Sequence, residues 1–303
     1  MAGFMMLTQS QLDGWVSEAK SIAHTGHIPD YIPRLAQVNR DRMAIQVQAA
    51  HEQSFSAGDT SQQFALMSVI KPFVLLFLLR QLGQQTVFRH VGKRPSDQVF
   101  HSLAQLTEDG GFPRNPMINS GAIALADLLP GIDGSERCEA LRRWLNHSVG
   151  AQLTLDQAML ASVRSVGNET NRAIADLLKQ SGYLTSIATA LDTYNHICCL
   201  SGTVVDLARL GSLLASSDPS MAADQRTVNA LMLTCGLYEA SGEFAVRVGV
   251  PTKSGVSGAL LAVVPRHGAI ACYSPPLDDT GNSVAGLWLL EQLVRSLNLS
   301  LFG

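Results

Sequence analysis

The chain has no surplus of charge of either sign. Its net charge is −3 at neutral pH and its pI is near 6.2. No basic run stands out, so the electrostatic footprint for binding nucleic acid or an anionic membrane is missing. A cysteine framework is missing too. The five cysteines, Cys138, Cys198, Cys199, Cys235 and Cys272, are odd in number, include an adjacent pair and contain no Cys-x-x-Cys. They read as reduced core thiols of a cytosolic protein rather than as disulfides. The eight histidines are scattered, and no spacing points to a metal. The N-terminus, Met1 to Leu7, has neither a basic region nor a cleavage site. It runs into Thr8-Gln-Ser-Gln11, a capping box, so a cytoplasmic location is expected. Repeats and low-complexity segments are absent. One stretch, Phe64 to Leu79, invites a membrane reading, but its sixteen residues include Lys71 and Pro72. A spanning helix needs ~20 apolar residues. What remains is a 303-residue chain with 46% hydrophobic and 16% charged residues. That is enough to bury a full core in one large domain or two.

The same stretch carries the strongest chemical signal. Ser68 and Lys71 are its only polar residues. A lysine in so apolar a setting is costly unless it is paired or loses its proton. Three residues apart on a helix, a hydroxyl and an amine share one face. An amine made less basic by desolvation can take the proton of the serine beside it, which is the logic of the Ser-x-x-Lys acyl-transfer enzymes. A second copy, Ser17-Glu-Ala-Lys20, lies beside Leu12, Trp15, Val16 and Ala19 and reads as a wet helix face. The 64–79 stretch is expected to be a helix buried on all sides, ended by Gly83. Pro72 is tolerated only near the start, so the Ser–Lys pair is expected on the first turn, where free N–H groups can face an anionic oxygen.

Residues 8–24 read as an amphipathic helix, and Met43 to Gln48 alternates like a strand. Tyr31-Ile-Pro33 is held extended by its proline. From about 100 to 215 the periodicity is helical, broken at Gly110–Pro113 and Pro130–Gly134. Phe244–Val250, Gly258–Val264 and Ala269–Tyr273 read as strands, with a turn at Pro265–Gly268. Asn282-Ser283 caps a closing helix. The expected fold class is α/β (α+β): an antiparallel sheet built from both chain ends and flanked by helices, with an inserted all-helical domain. Residues 1–65 plus 235–303 form the sheet domain and 66–234 the helical domain, with the site in the cleft between them.

Downstream, Lys253-Ser254-Gly255 lies just before an expected edge strand. A Lys-[Ser/Thr]-Gly triplet after Ser-x-x-Lys is the pairing of penicillin-binding proteins and serine β-lactamases. A strand beside the nucleophile supplies a backbone N–H, here that of Val256, which with the Ser68 N–H makes an oxyanion hole. Further stretches set the family: Tyr31-Ile-Pro-Arg-Leu35, Asn115-Pro-Met-Ile-Asn-Ser-Gly-Ala-Ile123, Asn171-Arg-Ala-Ile-Ala175, Leu233-Thr-Cys-Gly-Leu-Tyr-Glu-Ala-Ser-Gly-Glu-Phe-Ala245, Ser274-Pro-Pro-Leu-Asp278 and Gly281-Asn-Ser-Val-Ala285. Over about residues 10–297 the chain resembles the bacterial-type serine-dependent glutaminases, whose fold is β-lactamase-like.

The resemblance implies that Ser68 attacks the side-chain amide of glutamine, that Lys71 is the base and that a glutamyl-serine is then hydrolysed to glutamate. It implies that Tyr194 helps Lys71 shuttle protons, that Asn119, Asn171 and Tyr238 are substrate ligands, and that Tyr31 closes over the site. It also implies no metal or cofactor, and a homo-oligomer, dimer or tetramer. Taken singly, the asparagines also suit caps or turns, and the tyrosines suit half-buried aromatics. One departure concerns recognition. The family carries a glutamate about seven residues before the asparagine matching Asn171, and that position falls near Val163 or Arg164. Met67, Ile70 and His101 also replace polar family residues. A serine amidohydrolase for another small amide and a non-catalytic amino-acid-binding paralogue are therefore the alternatives.

Overall fold

The computed structural model describes residues 4–50 and 53–303. Its strands are β1 (Ala44–Ala49), β2 (Ser54–Gly58), β3 (Phe64–Ala65), β4 (Thr154–Leu155), β5 (Leu200–Gly202), β6 (Thr252–Ser254), β7 (Ala259–Val264) and β8 (Gly268–Tyr273). The helices of the first half are α1 (Gln9–Ala23), α2 (Pro33–Ala36), α3 (Lys71–Val87), α4 (Leu103–Glu108), α5 (Asn119–Ala126) and α6 (Gly134–Val149). Those of the second half are α7 (Gln157–Ser165), α8 (Glu169–Gln180), α9 (Ile187–Cys198), α10 (Val204–Ala215), α11 (Ala222–Cys235), α12 (Ser241–Arg247) and α13 (Val284–Ser296).

The two chain ends meet in one antiparallel sheet of order β2-β1-β8-β7-β6. In the join between them, Ile45 lies opposite Cys272 and Val47 opposite Ile270. Alternation along these strands sets the layers, because successive side chains point to opposite faces. Ile45, Val47, Leu260, Ala262, Ile270 and Cys272 share a core with α1 and α13, through Leu12, Val16, Leu289 and Leu293. The in-between residues Leu261, Val263, Ala269 and Ala271 join the larger core that holds Leu207 and Leu210 of α10 and the whole apolar run of α3. Each such leucine, fully buried, contributes about 1.5–3 kcal/mol. The strands β3, β5 and β4 form a second, small antiparallel sheet that fixes the chain just before Ser68.

Gly211 is where α10 presses closest on the sheet. A Cβ there would lie 2.4 Å from the Ala269 Cβ and 2.9 Å from Leu261 Cδ1. Gly211→Ala is expected to destabilise the protein by about 1–3 kcal/mol through overpacking, measured by urea denaturation.

Several expectations hold as stated. The Thr8 capping box forms with Gln11, and Ser17 and Lys20 are exposed. Ser283 caps α13 through the Gly286 N–H. Gly83 breaks α3 with φ of 76°. All five cysteines are buried and free.

Four expectations need correction. Residues 64–79 are not one helix: β3 comes first, then a 3-10 turn Met67–Ile70, and α3 starts at Lys71. Pro72 is thus at the second position of α3, where its missing N–H costs nothing. Phe244–Val250 is not a strand. Ser241, Phe244 and Val248 are buried while Val246 is 91% exposed, a helical spacing that the run of valines hid. Lys253 does not precede the edge strand but lies in it, as the centre of β6. The helical region 100–215 also holds β4 and β5, too short to show a period of two.

Candidate active site

Ser68 sits on the 3-10 turn, one residue after Met67, whose φ is 47°. A left-handed conformation is costly for a side chain of that size, and it marks a sharp exit from β3. The Ser68 N–H and the Val256 N–H have no backbone acceptor among the described residues. The two segments touch: a Cβ on Gly255 would lie 2.8 Å from Leu66 O and 3.3 Å from Ser68 N. Glycine is what lets β6 come so close to the turn.

Lys71 is 1% exposed. Burial pulls its amine from 10.5 down to about 8, against an opposing influence from Cys198. Its Nζ donates to Met117 O at 3.1 Å and to Asn119 Oδ1 at 3.0 Å. A neutral amine has two N–H bonds and one lone pair. With both hydrogens engaged, the lone pair is left free to receive a proton.

Asn119, at the start of α5, is the hub. Its Oδ1 also accepts from the Tyr194 hydroxyl at 3.0 Å, and its Nδ2 donates to Asn171 Oδ1 at 3.0 Å. Asn115 shapes the approach, since its Oδ1 accepts from the N–H groups of Met117 and Ile118. Burial raises Tyr194 well above the usual phenol range. Tyr238 stands on the other side with φ of 57°, and burial pushes it up to about 12. Its hydroxyl lies near Ser68 and Ser254 and closes no hydrogen bond. Phe100, whose ring is 4.7 Å from that of Tyr238, also accepts from the Asn119 N–H.

The structure thus brings Ser68, Lys71, Tyr194, Asn119, Asn171, Tyr238 and Val256 to one place. Tyr31 is at the rim, 55% exposed and within electrostatic range of Tyr194 and Tyr238. Arg164, at the end of α7, pairs with Asp192 at 2.6 Å, both residues being more than a third exposed. Its charge is therefore countered at the surface.

Sequence reasoning gave no role to the frame behind these residues. Lys253 is fully buried, and burial followed by the charge of Lys71 takes its amine well below the ordinary range. Its Nζ donates to Gly236 O at 2.9 Å and Ser254 O at 2.7 Å, and lies 4.5 Å from the Tyr238 ring centre. Ser254 Oγ donates to Asn282 Oδ1 at 2.6 Å, and Asn282 Nδ2 donates to Thr280 Oγ1 at 2.7 Å. The triplet Lys253-Ser-Gly255 and the run Gly281-Asn-Ser283 were the signals for this network. Asn282→Ala strands the Ser254 hydroxyl in the interior. It is expected to cost about 1–3 kcal/mol in chemical denaturation.

Among the described residues no group of three or more His, Cys, Asp or Glu could hold a metal ion, and no helix is long and apolar enough to cross a membrane.

A buried Ser–Lys pair beside backbone donors suits acyl transfer, and comparison with known proteins specifies the kind. The family model described as Glutaminase matches residues 26–302. A glutaminase of Synechocystis sp. is 46% identical over 298 residues, covering 97% of this chain and 91% of that one. Glutaminase 2 of Escherichia coli is 37% identical over 300 residues, covering 96% and 97%. Among solved structures, a Bacillus subtilis glutaminase in covalent complex with 5-oxo-L-norleucine, formed by reaction with 6-diazo-5-oxo-L-norleucine, superposes with a TM-score of 0.87. It is 31% identical, and the match covers 97% of this chain and 99% of that one. The fold is accordingly the β-lactamase-like fold of those enzymes. With a model matched along nearly its whole length and relatives this similar, the chain belongs to the glutaminase family.

Proposed function

We propose that this protein hydrolyses L-glutamine to L-glutamate and ammonia, through a covalent intermediate on Ser68. The observation that carries the reading is the state of Lys71: buried, with an amine near 8 and both N–H bonds of its neutral form engaged. In this reading the Lys71 lone pair takes the Ser68 proton as Oγ attacks the side-chain carbonyl carbon. The developing oxyanion accepts from the N–H groups of Ser68 and Val256. Collapse breaks the C–N bond, and the proton on Lys71, passed by way of Tyr194, leaves with ammonia. Water then enters, gives a proton back along the same path and releases glutamate. The reaction lies in the cleft between the sheet domain, 1–65 plus 235–303, and the helical domain, 66–234.

The carbonyl oxygen of Asn119 is occupied by Lys71 and Tyr194, and that of Asn171 by the Asn119 amide. What they still offer is amide N–H, which suits the substrate carboxylate. The neighbour trapped covalently by a diazo ketone supports an attacking group at this site. Pairing of Arg164 with Asp192 removes the repulsion that a free arginine would exert on an α-ammonium.

The test is ammonia release from L-glutamine by the purified protein, against a panel of asparagine, N-acetylglutamine and γ-glutamyl amides. Glutamine is expected to give the highest kcat/KM. A better N-acetylated substrate would reject the free amino acid as the natural one.

A further inference from the structure

A chain of hydrogen bonds behind Tyr238 runs in one direction. It starts at Asp278, whose Oδ1 accepts from the Thr280 hydroxyl at 2.7 Å and from the N–H groups of Thr280 and Asn282 at 2.9 Å. A carboxylate only accepts, so the Thr280 proton is spent there. Thr280 Oγ1 must then accept from Asn282 Nδ2, which it does at 2.7 Å. Leu237 O, a second pure acceptor, also faces that nitrogen, at 3.4 Å. The amide is thereby fixed with its oxygen towards Ser254. The Ser254 hydroxyl, fully buried, donates to that oxygen at 2.6 Å. With its one proton spent, Ser254 Oγ presents only lone pairs to any other neighbour.

Beside it stands the Tyr238 hydroxyl, which is buried, lies near both Ser254 and Ser68, and closes no hydrogen bond among the described residues. The residue is pinned through its backbone. Ser241 Oγ donates to Tyr238 O at 2.7 Å and accepts from the Leu237 N–H at 2.9 Å, and Lys253 Nζ holds Gly236 O. An orphan buried hydroxyl is unfavourable, and active-site bonds are often long until the reacting complex tightens them. Tightening gives the phenol two choices. Donation to Ser68 Oγ would tie up the lone pair that attacks. Donation to Ser254 leaves it free. Resting on the reading of Ser68 as nucleophile, we propose that Ser254 is a positioning residue: an obligate acceptor that draws the Tyr238 O–H away from Ser68 and keeps the attacking oxygen unblocked. Asp278, Thr280 and Asn282 act behind it by setting the direction of its own bond.

The experiment is the rate at which 6-diazo-5-oxo-L-norleucine labels Ser68, followed by mass spectrometry on the full chain, with kcat and KM for glutamine alongside. Ser254→Ala is expected to slow labelling and kcat about tenfold, the effect of one hydrogen bond on the attacking oxygen, with KM little changed. Introduced into Tyr238→Phe, which has no O–H to misdirect, the same substitution is expected to slow labelling no further. Ser254→Cys keeps the volume but is a weak acceptor. It is expected to fall between wild type and Ser254→Ala, and it gives the same two-background comparison if the alanine variant is unstable. A purely structural role for Ser254 requires equal losses in both backgrounds, and that result would overturn the proposal. So would labelling of Ser254→Ala at the wild-type rate. A wild-type protein that neither takes the label nor releases ammonia would reject the glutaminase reading and the proposal together.

Discussion

Ser68→Ala is expected to lower glutamine turnover by about 10⁴-fold or more, leaving the thermal midpoint close to that of the wild type. The size follows from the proposed role: a nucleophilic Ser68 without its hydroxyl forms no acyl-enzyme, and loss of a nucleophile in enzymes of this logic costs about 10⁶-fold in kcat. The fold is expected to tolerate the change. The Ser68 side chain lies near the Tyr238 hydroxyl without closing a bond to it, and Met67 rather than Ser68 carries the left-handed backbone. Ammonia release measures the loss. Mass spectrometry after 6-diazo-5-oxo-L-norleucine is a second readout, expected to show one adduct on the wild type and none on the variant. A variant that kept full ammonia release would sink the serine mechanism.

Lys71→Met is expected to abolish turnover and yet raise stability at neutral pH. The sign follows from burial, which lowers the amine from 10.5 in the unfolded chain to about 8 in the folded one. Between these values the unfolded chain holds the proton more tightly, so stability rises with pH across that window. Below pH 8 both states are protonated, and the folded one bears a buried charge at a gross cost of about 3 kcal/mol. Methionine removes that cost at similar volume. It also forgoes the bonds to Met117 O and Asn119 Oδ1, worth about 1 kcal/mol each. The net gain in Tm is therefore expected at pH 7 and should vanish towards pH 10.5, which thermal melts at several pH values would check. A Tm lowered equally at every pH would mean that the amine is not desolvated. The same protonation sets the rate. In the wild type kcat/KM is expected to rise with pH through an apparent value near 8, as Lys71 becomes free to accept the Ser68 proton.

The two predictions differ in what the sequence could show of them. Ser68 and Lys71 were legible because two polar residues in a sixteen-residue apolar run demand a reason. The long amphipathic helices and β7 and β8 were legible because their periods are clean. The strand content of Phe244–Val250 was misread because valines are compatible with either period over seven residues, and only the neighbours of Ser241, Phe244 and Val248 decide between them. The Met67–Ile70 turn was missed because a 3-10 turn and the start of a helix share the same short spacing. Arg164 gave a sign of charge but not a direction. Its partner Asp192 is twenty-eight residues away on another helix.

By itself the sequence singled out the Ser68–Lys71 pair, pointed to the family, and called for a sheet drawn from both chain ends. Those follow from local pattern: burial of a lysine, alternation, caps, and the two ordered motifs. Tertiary structure alone decided how the amine is held, because that depends on distance across the fold. Met117 and Asn119 come from a segment some fifty residues beyond Lys71, and Asn171 and Tyr194 from two further helices. Lys253, Ser254 and Asn282 reach the same place from the far end of the chain. No spacing in one dimension encodes which of these atoms lies 3 Å from which, since the mutual packing of α5, α8 and α9, and of α9 against the turn at Ser68, sets it.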